Sequence, residues 1–301
     1  MSKKKDPKKL IVFLILVISY FFYNNFNPNT EDAGTSINKG SESTSASLTV
    51  SFIDVGQADC TLIENDGKYA LIDAGNNEDG PLLVKYFESL GIKEFEYVFA
   101  THGHEDHIGG MDDIINNFKI KNFYMPDAIT TTKTFEDVLT ALENNKVTFK
   151  TPTTGETLEL QAEVPTTFTV LSVNSDESNL NDTSIVLKLK YNTTSFLFMG
   201  DASSKIENTI LDKSIQSDVL KVGHHGSKTS TSNRFLEKVN PKYAVISVGK
   251  DNSYSHPNTE TLNRLAKKDV KVYRTDELGT IIAKSNGTII NFENVKTNTN
   301  G

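Results

Sequence analysis

Apolar and polar positions change period repeatedly along the 301-residue chain, and each change marks an element. Short runs rich in branched and aromatic residues open the body at Leu48–Val55, Cys60–Glu64 and Tyr69–Ile72. They read as strands, the last two joined by an Asn65-Asp66-Gly67 turn. Pro81–Leu90 then sets Leu83, Tyr86, Phe87 and Leu90 at i, i+3, i+4 and i+7, a helical stripe stopped by Gly91. Strands at Tyr97–Ala100 and Lys121–Tyr124 alternate with helices at Gly110–Phe118 and Thr134–Glu143. From Val147 to Thr169 the chain returns to short strands, and Ser184–Lys190 with Ser195–Met199 predicts a hairpin around Asn192-Thr193. The final third alternates again. Helices are expected near Ser203–Leu211, Ser230–Val239 and Pro257–Ala266, the last with Pro257 in its first turn. Strands are expected at Val219–Val222, Tyr243–Val248, near Val272 and at Thr280–Ala283. Two rounds of meander followed by β/α alternation predict one α/β domain over 48–294, an αββα sandwich with two packed sheets and helices outside.

The first 47 residues follow different rules. Five lysines precede Leu10–Tyr23, fourteen uncharged and mostly large apolar residues. Such a helix is about 21 Å long, short of the ~30 Å hydrocarbon core, but Phe26 extends it and the terminal aromatics suit a membrane interface. Residues 1–26 therefore read as an uncleaved signal anchor. A cleaved signal peptide is the alternative, although no A-x-A site follows closely. Either reading places the body outside the cell, or secreted if the signal is cut. Residues 27–47 lack large apolar side chains and read as a flexible linker; 295–301 form a polar tail.

The formal net charge is −8, and because residues 1–9 carry five lysines against one aspartate, the remainder carries −12. An acidic body argues against broad electrostatic binding of nucleic acid. A single cysteine, Cys60, excludes both an intrachain disulfide and a thiolate zinc cage. No protein partner is evident.

All six histidines fall in three places, each after a predicted strand. His102, His104 and His107 lie in Thr101-His-Gly-His-Glu-Asp-His107. His224 and His225 lie in Lys221-Val-Gly-His-His-Gly-Ser227, and His256 lies in Tyr254-Ser-His-Pro257. Strand C-terminal ends are where α/β folds build sites. In the first cluster His102 and His104 can share one metal while Asp106 and His107 reach a second. Imidazole with carboxylate suits Zn²⁺, Mn²⁺ or Fe²⁺. Asp201, in Phe198-Met-Gly-Asp201, can supply a bridging carboxylate, with Gly200 permitting close backbone approach. Two ions ~3.5–4 Å apart would hold a hydroxide nucleophile and clamp attacking and leaving oxygens. Taken singly, Asp201 is equally a helix cap, His224-His225 a surface turn, and His256 an ordinary helix-start residue. Their convergence carries the case.

With these motifs the chain resembles the metallo-β-lactamase-fold hydrolases, and more narrowly the C-terminal hydrolase domain of ComEC-type competence proteins. The resemblance rests on Phe52–Asp59, Leu71–Gly75, Thr101–Gly110, Asn181–Val186, Met199–Asp201, Leu220–Ser227, Ser255–Pro257 and Tyr273–Asp276. It implies a site for two divalent ions, Zn or Mn, ligated by His102, His104, Asp106, His107, Asp201 and His256. Asp73 would support the ligating histidines, with Asp54 and Ser227 placed behind the site. Where many relatives have a further histidine this chain has Asn181-Asp182. Either Asp182 substitutes as an oxygen ligand, or one ion is held tightly and one weakly. Lys221, His224 and His225 match a motif of nuclease-like members. At a site mouth these groups could grip a phosphate oxygen and protonate the leaving alkoxide, joining Asp106 as catalytic candidates, while Ser227 could orient the phosphate.

The expected function is thus an exported, membrane-tethered phosphodiester hydrolase, a nuclease acting on extracellular DNA. A cell-wall phosphodiesterase such as a phosphorylcholine esterase is the second enzyme reading, and a catalytically inactive binding protein on the same fold is a third. Nothing in 1–47 could form a multispanning channel.

Overall fold

The computed structural model describes residues 47–175 and 178–295. The expected anchor, the linker up to residue 46 and the tail from residue 296 lie outside the described residues. Among the described residues no helix is long and apolar enough to cross a membrane.

Strands β1 (Leu48–Phe52), β2 (Thr61–Asn65) and β3 (Lys68–Ile72) form an antiparallel meander. Its second turn is tight because Asp66 and Gly67 both take positive φ, 52° and 67°. Helix α1 (Gly80–Ser89) and a two-residue strand β4 (Glu94–Phe95) lead to β5 (Tyr97–Phe99), which runs parallel to β3. A four-residue α2 (Glu105–Ile108) and α3 (Met111–Asn117) follow. Then come β6 (Lys119–Ile120), β7 (Phe123–Tyr124), α4 (Lys133–Asn144) and β8 (Phe149–Lys150). The expected strand at Lys121–Tyr124 is shortened to β7, which joins β5, while β6 just before it pairs with β4 in a separate two-stranded sheet. Asn122 marks the break, its side chain donating to the Glu96 carbonyl at 3.0 Å.

The second half repeats the plan. Strands β9 (Thr157–Leu160), β10 (Thr166–Ser172), β11 (Val186–Tyr191) and β12 (Thr194–Phe198) are antiparallel. Parallel β13 (Val219–Lys221), β14 (Tyr243–Ile246) and β15 (Lys271–Arg274) alternate with α5 (Ser204–Thr209), α6 (Asn233–Val239) and α7 (Thr259–Ala266). After α8 (Thr275–Leu278), β16 (Thr280–Ser285) and β17 (Ile290–Val295) return to the first sheet, β16 pairing with β1. Helix α7 starts later than Pro257. Asn258 caps it by accepting the Glu260 N–H at 3.0 Å, and Pro257 stays outside, following a cis bond to His256. A carboxamide satisfies an orphan helix N–H, which proline cannot do.

Period-2 alternation assembles the layers. Leu48, Val50, Phe52, Ile63, Ala70, Ile72 and Phe99 face Phe168, Leu187, Phe196, Phe198, Val219 and Val245 of the other sheet in the central core. Leu62, Leu71 and Val98 point the other way, onto Leu83, Phe87, Ile114 and Phe135 of the helices. Leu197, Leu220 and Ala244 do the same against Ile206, Phe235 and Leu265. Both faces of each sheet are buried, so the parallel strands read as nearly continuous apolar runs. The result is the expected four layers, with the C-terminal ends of β3, β5, β12, β13 and β14 left to carry polar groups.

Candidate metal centre

Asp73 follows β3 and takes a left-handed φ of 59°. One carboxylate oxygen accepts the Thr101 N–H and the other the Thr101 hydroxyl, both at 2.8 Å, which ties the ends of β3 and β5 together. The second oxygen also lies 2.8 Å from His107 Nδ1. His107 is fully buried, so this contact fixes its ring with Nδ1 protonated and Nε2 facing inward. Nε2 stops 3.2 Å from Asp201 Oδ1, and neither atom has a hydrogen-bond partner among the described residues.

His225 repeats the arrangement from the other sheet. Its Nδ1 meets the Ser247 carbonyl at 2.9 Å and must donate to it, so Nε2 faces Asp106 Oδ2 at 3.2 Å. Asp106, His107, Asp201 and His225 each offer a ligand atom within 4.8 Å of the others. Three of these four residues are buried, and an imidazole nitrogen facing a carboxylate must carry a proton or share a cation. Burial works against the charged form of His107, but Asp201, Asp73 and Asp106 outweigh it and push its pKa well up. His225 is likewise raised against its burial by Asp201 and Asp59. Burial would raise Asp201, and the His107 and His225 charges reverse that and hold it well below the usual carboxylate range. The cluster demands positive charge at its centre. A divalent cation fits the orphaned nitrogen and oxygen atoms, and the nitrogen–oxygen donor set suits zinc or manganese.

A second pair sits alongside. His102 Nε2 lies 3.0 Å from His104 Nδ1, and the His102 ring stands 4.2 Å from that of His107. Thr101 and Ser184 hydroxyls approach His102 Nδ1 at 3.2 and 3.4 Å, and burial pushes its pKa well down, favouring the neutral imidazole that a metal would require. Gly200 brings Asp201 in. With φ 51°, a Cβ there would stand 2.9 Å from Ser184 Oγ, the atom that accepts the Asp201 N–H at 3.0 Å.

The His224-His225 turn uses left-handed backbone at both histidines, φ 52° and 50°, conformations that cost of order 1–3 kcal/mol each in non-glycine residues. The twist sends His225 inward and leaves His224 partly open, its Nε2 3.6 Å from Asp201 Oδ2. Burial lowers the His224 pKa. His256 stands at the outer edge, its ring 5.5 Å from that of His224 and its pKa pushed down to about 4 by burial and by His224.

Other expected residues sit elsewhere. Lys221 is not at a mouth: it is 2% exposed and donates to Asp59 Oδ2 at 2.8 Å beneath the cluster. Its place at the end of a strand buried on both faces explains this. Asp182 Oδ1 accepts the Ser203 N–H at 3.2 Å at the start of α5, and Asp182 is not among the four residues whose ligand atoms converge. Asn181 Oδ1 is buried without a hydrogen-bond partner among the described residues. Asp54 accepts the Gly56 N–H at 3.3 Å in the loop after β1. Ser227 Oγ contacts Thr229 at 3.0 Å, and the Thr229 hydroxyl lies 3.4 Å from His224 Nδ1, so Ser227 acts through its neighbour. Asp59, at the end of the Phe52–Asp59 motif, joins the site although no metal-ligand spacing marks it in the sequence. It lies 3.5 Å from His225 and 4.0 Å from His107.

Comparison with known proteins agrees with this geometry. The family model of the metallo-beta-lactamase superfamily matches residues 53–250. The chain belongs to that superfamily. This metallo-beta-lactamase domain is 31% identical over 253 residues to ComE operon protein 3 of Bacillus subtilis, covering 77% of this chain and 32% of the relative. It is 29% identical over 238 residues to Recombination protein 2 of Haemophilus influenzae, covering 77% of this chain and 28% of that one. The chain thus spans about a third of the length of these relatives. Among solved structures, the metallo-beta-lactamase fold protein YhfI from Bacillus subtilis superposes with a TM-score of 0.51 at 14% identity, covering 80% of this chain and all of that one. The domain is a metallo-hydrolase of ComEC-type relationship.

Proposed function

We propose that the chain is an exported, membrane-tethered phosphodiester hydrolase whose substrate is DNA. One observation carries the reading: His224 stands on the open side of a buried carboxylate–imidazole cluster, 3.6 Å from Asp201. Similarity to proteins named for competence and recombination supports DNA over other phosphodiesters. Lysines before the apolar run Leu10–Tyr23 support export with the body outside.

Bound divalent cations would supply an activated water and offset phosphate charge. The chain's own residues do the rest. Asp73 and the Ser247 carbonyl hold His107 and His225 with Nε2 inward, so no reorientation is needed when substrate arrives. His224, kept largely neutral by burial, accepts or delivers a proton at Nε2 beside the scissile phosphate. Thr229 fixes its ring from the Nδ1 side.

The test is the full chain in detergent with Mn²⁺ or Zn²⁺, assayed on DNA, an aryl phosphodiester and a choline phosphodiester. DNA cleavage that is lost in Asp201→Asn is expected. Failure on all three overturns the reading. Cleavage of the choline ester alone replaces it with a cell-wall phosphodiesterase, which the net charge of −12 over residues 10–301 favours.

A further inference from the structure

We propose that Tyr254 is a stacking platform for a nucleobase next to the scissile phosphate, a substrate contact that rests on the DNA reading above. Tyr254 is 67% exposed, while its ring lies over His256 at 5.8 Å between centroids and 25° between planes. His256 in turn meets the His224 ring at 5.5 Å, and His224 touches Asp201. A run of rings therefore leads from the carboxylate cluster to solvent, and Tyr254 is its outer end. The phenol ring lies offset beside His256, and two-thirds of the residue is open to water. Tyr254 is thus an exposed ring at the rim of the site, outside the buried core.

The backbone that carries this ring is held before any ligand arrives. Asn252 Nδ2 donates to the carbonyls of Gly249 and His256 at 2.9 and 2.6 Å, while its Oδ1 accepts the N–H groups of Tyr254 and His256, both at 3.1 Å. Gly249 N–H donates to Gln57 Oε1 at 3.0 Å, anchoring the loop to the first sheet's side of the site. Two ring steps separate Tyr254 from His224, so a base seated on Tyr254 belongs to a nucleotide close to the phosphate that His224 serves. Stacking suits a nuclease of broad sequence range, since every base presents a π face. It also suits an acidic protein, because a neutral ring recruits DNA without a basic groove.

The test compares full-length parent, Tyr254→Phe and Tyr254→Ala in detergent with Mn²⁺. Substrates are a single-stranded oligonucleotide and the same oligonucleotide made abasic around one fixed cleavage position. Parent and Tyr254→Phe should show a KM roughly 5- to 100-fold lower for the base-bearing strand, and Tyr254→Ala should lose that preference. Equal KM values on both strands in the parent overturn the platform while leaving the nuclease intact. So does a Tyr254→Phe variant that behaves like Tyr254→Ala, which would assign the contact to the hydroxyl. A parent that cleaves neither strand overturns the nuclease reading and the platform together.

Discussion

Lys221 Nζ donates to Asp59 Oδ2 at 2.8 Å, an ion pair between residues 162 positions apart that lies wholly beneath the histidine cluster. The lysine also reaches the Val222 carbonyl at 3.3 Å, so two of its three donors are spent inside the protein. Asp59, through its other oxygen, comes within 3.5 Å of His225 Nδ1. The pair thus holds the floor of the site, and a lysine that looks from sequence like a phosphate grip is a brace.

Lys221→Met should therefore reduce stability before it reduces substrate affinity. Removing one partner of a buried pair leaves the other charge uncompensated, at a cost of about 3–5 kcal/mol. Urea unfolding of the single variant and of Lys221→Met/Asp59→Asn should show the double variant recovering a substantial part of that loss. A single variant as stable as the parent would show that Asp59 finds other compensation.

Asp201→Asn should uncouple metal from stability. Asp201 faces His107, His224 and His225, and a neutral amide there removes the charge on which they converge. A ligand at 100 times its Kd stabilises the folded state by about 2.7 kcal/mol. Parent protein should gain a rise in Tm with Mn²⁺ or Zn²⁺, and Asp201→Asn should lose most of it. Metal content per chain should fall in parallel, as it should in His104→Ala.

Gly109→Ala should be among the most damaging small substitutions. A Cβ at residue 109 would stand 2.2 Å from the Asn76 carbonyl carbon and 2.2 Å from Asn77 N, both backbone atoms that cannot swing aside. Forcing the end of α2 off this loop would cost about 3 kcal/mol and displace Asp106 and His107 with it. Unfolding measurements and metal content together should report both losses.

Glu207 carries a pH signature away from the metal cluster. It is 1% exposed, and its two oxygens accept the N–H groups of Thr231 and Ser232 just before α6. Burial raises its pKa despite those hydrogen bonds. A carboxyl group raised in the folded state contributes stability that is full below its unfolded pKa, about 4.3, and is lost as pH rises through the folded value. The stability of the parent relative to Glu207→Gln should accordingly fall as pH is raised from 4. A flat difference across that range would remove the burial account.

Sequence alone revealed much of the architecture because the sheets alternate cleanly. Val50, Phe52, Leu71 and Leu197 each occupy the layer that period 2 assigns. The ligand candidates were legible because histidines gathered at strand ends. Asp59 was not, since only pairing with a lysine 162 residues away distinguishes it from any loop aspartate. Elements of two to four residues, such as β4, β6, α2 and α8, are too short to show a period. The partner of Asp182 was not legible either: its Oδ1 accepts the Ser203 N–H, from a residue 21 positions away.

The two sheets meet at the centre on unequal terms. Asp59, Asp73 and His102 to His107 come from the first half of the chain, while Asp201, His224, His225 and His256 come from the second. Neither half of the chain carries a complete constellation. An ion held by Asp106, His107, Asp201 and His225 would need both halves docked first, since Asp106 and His225 lie 119 positions apart. A chain cleaved between the halves would keep activity only while the pieces stayed clasped, so loss of metal would mark their separation.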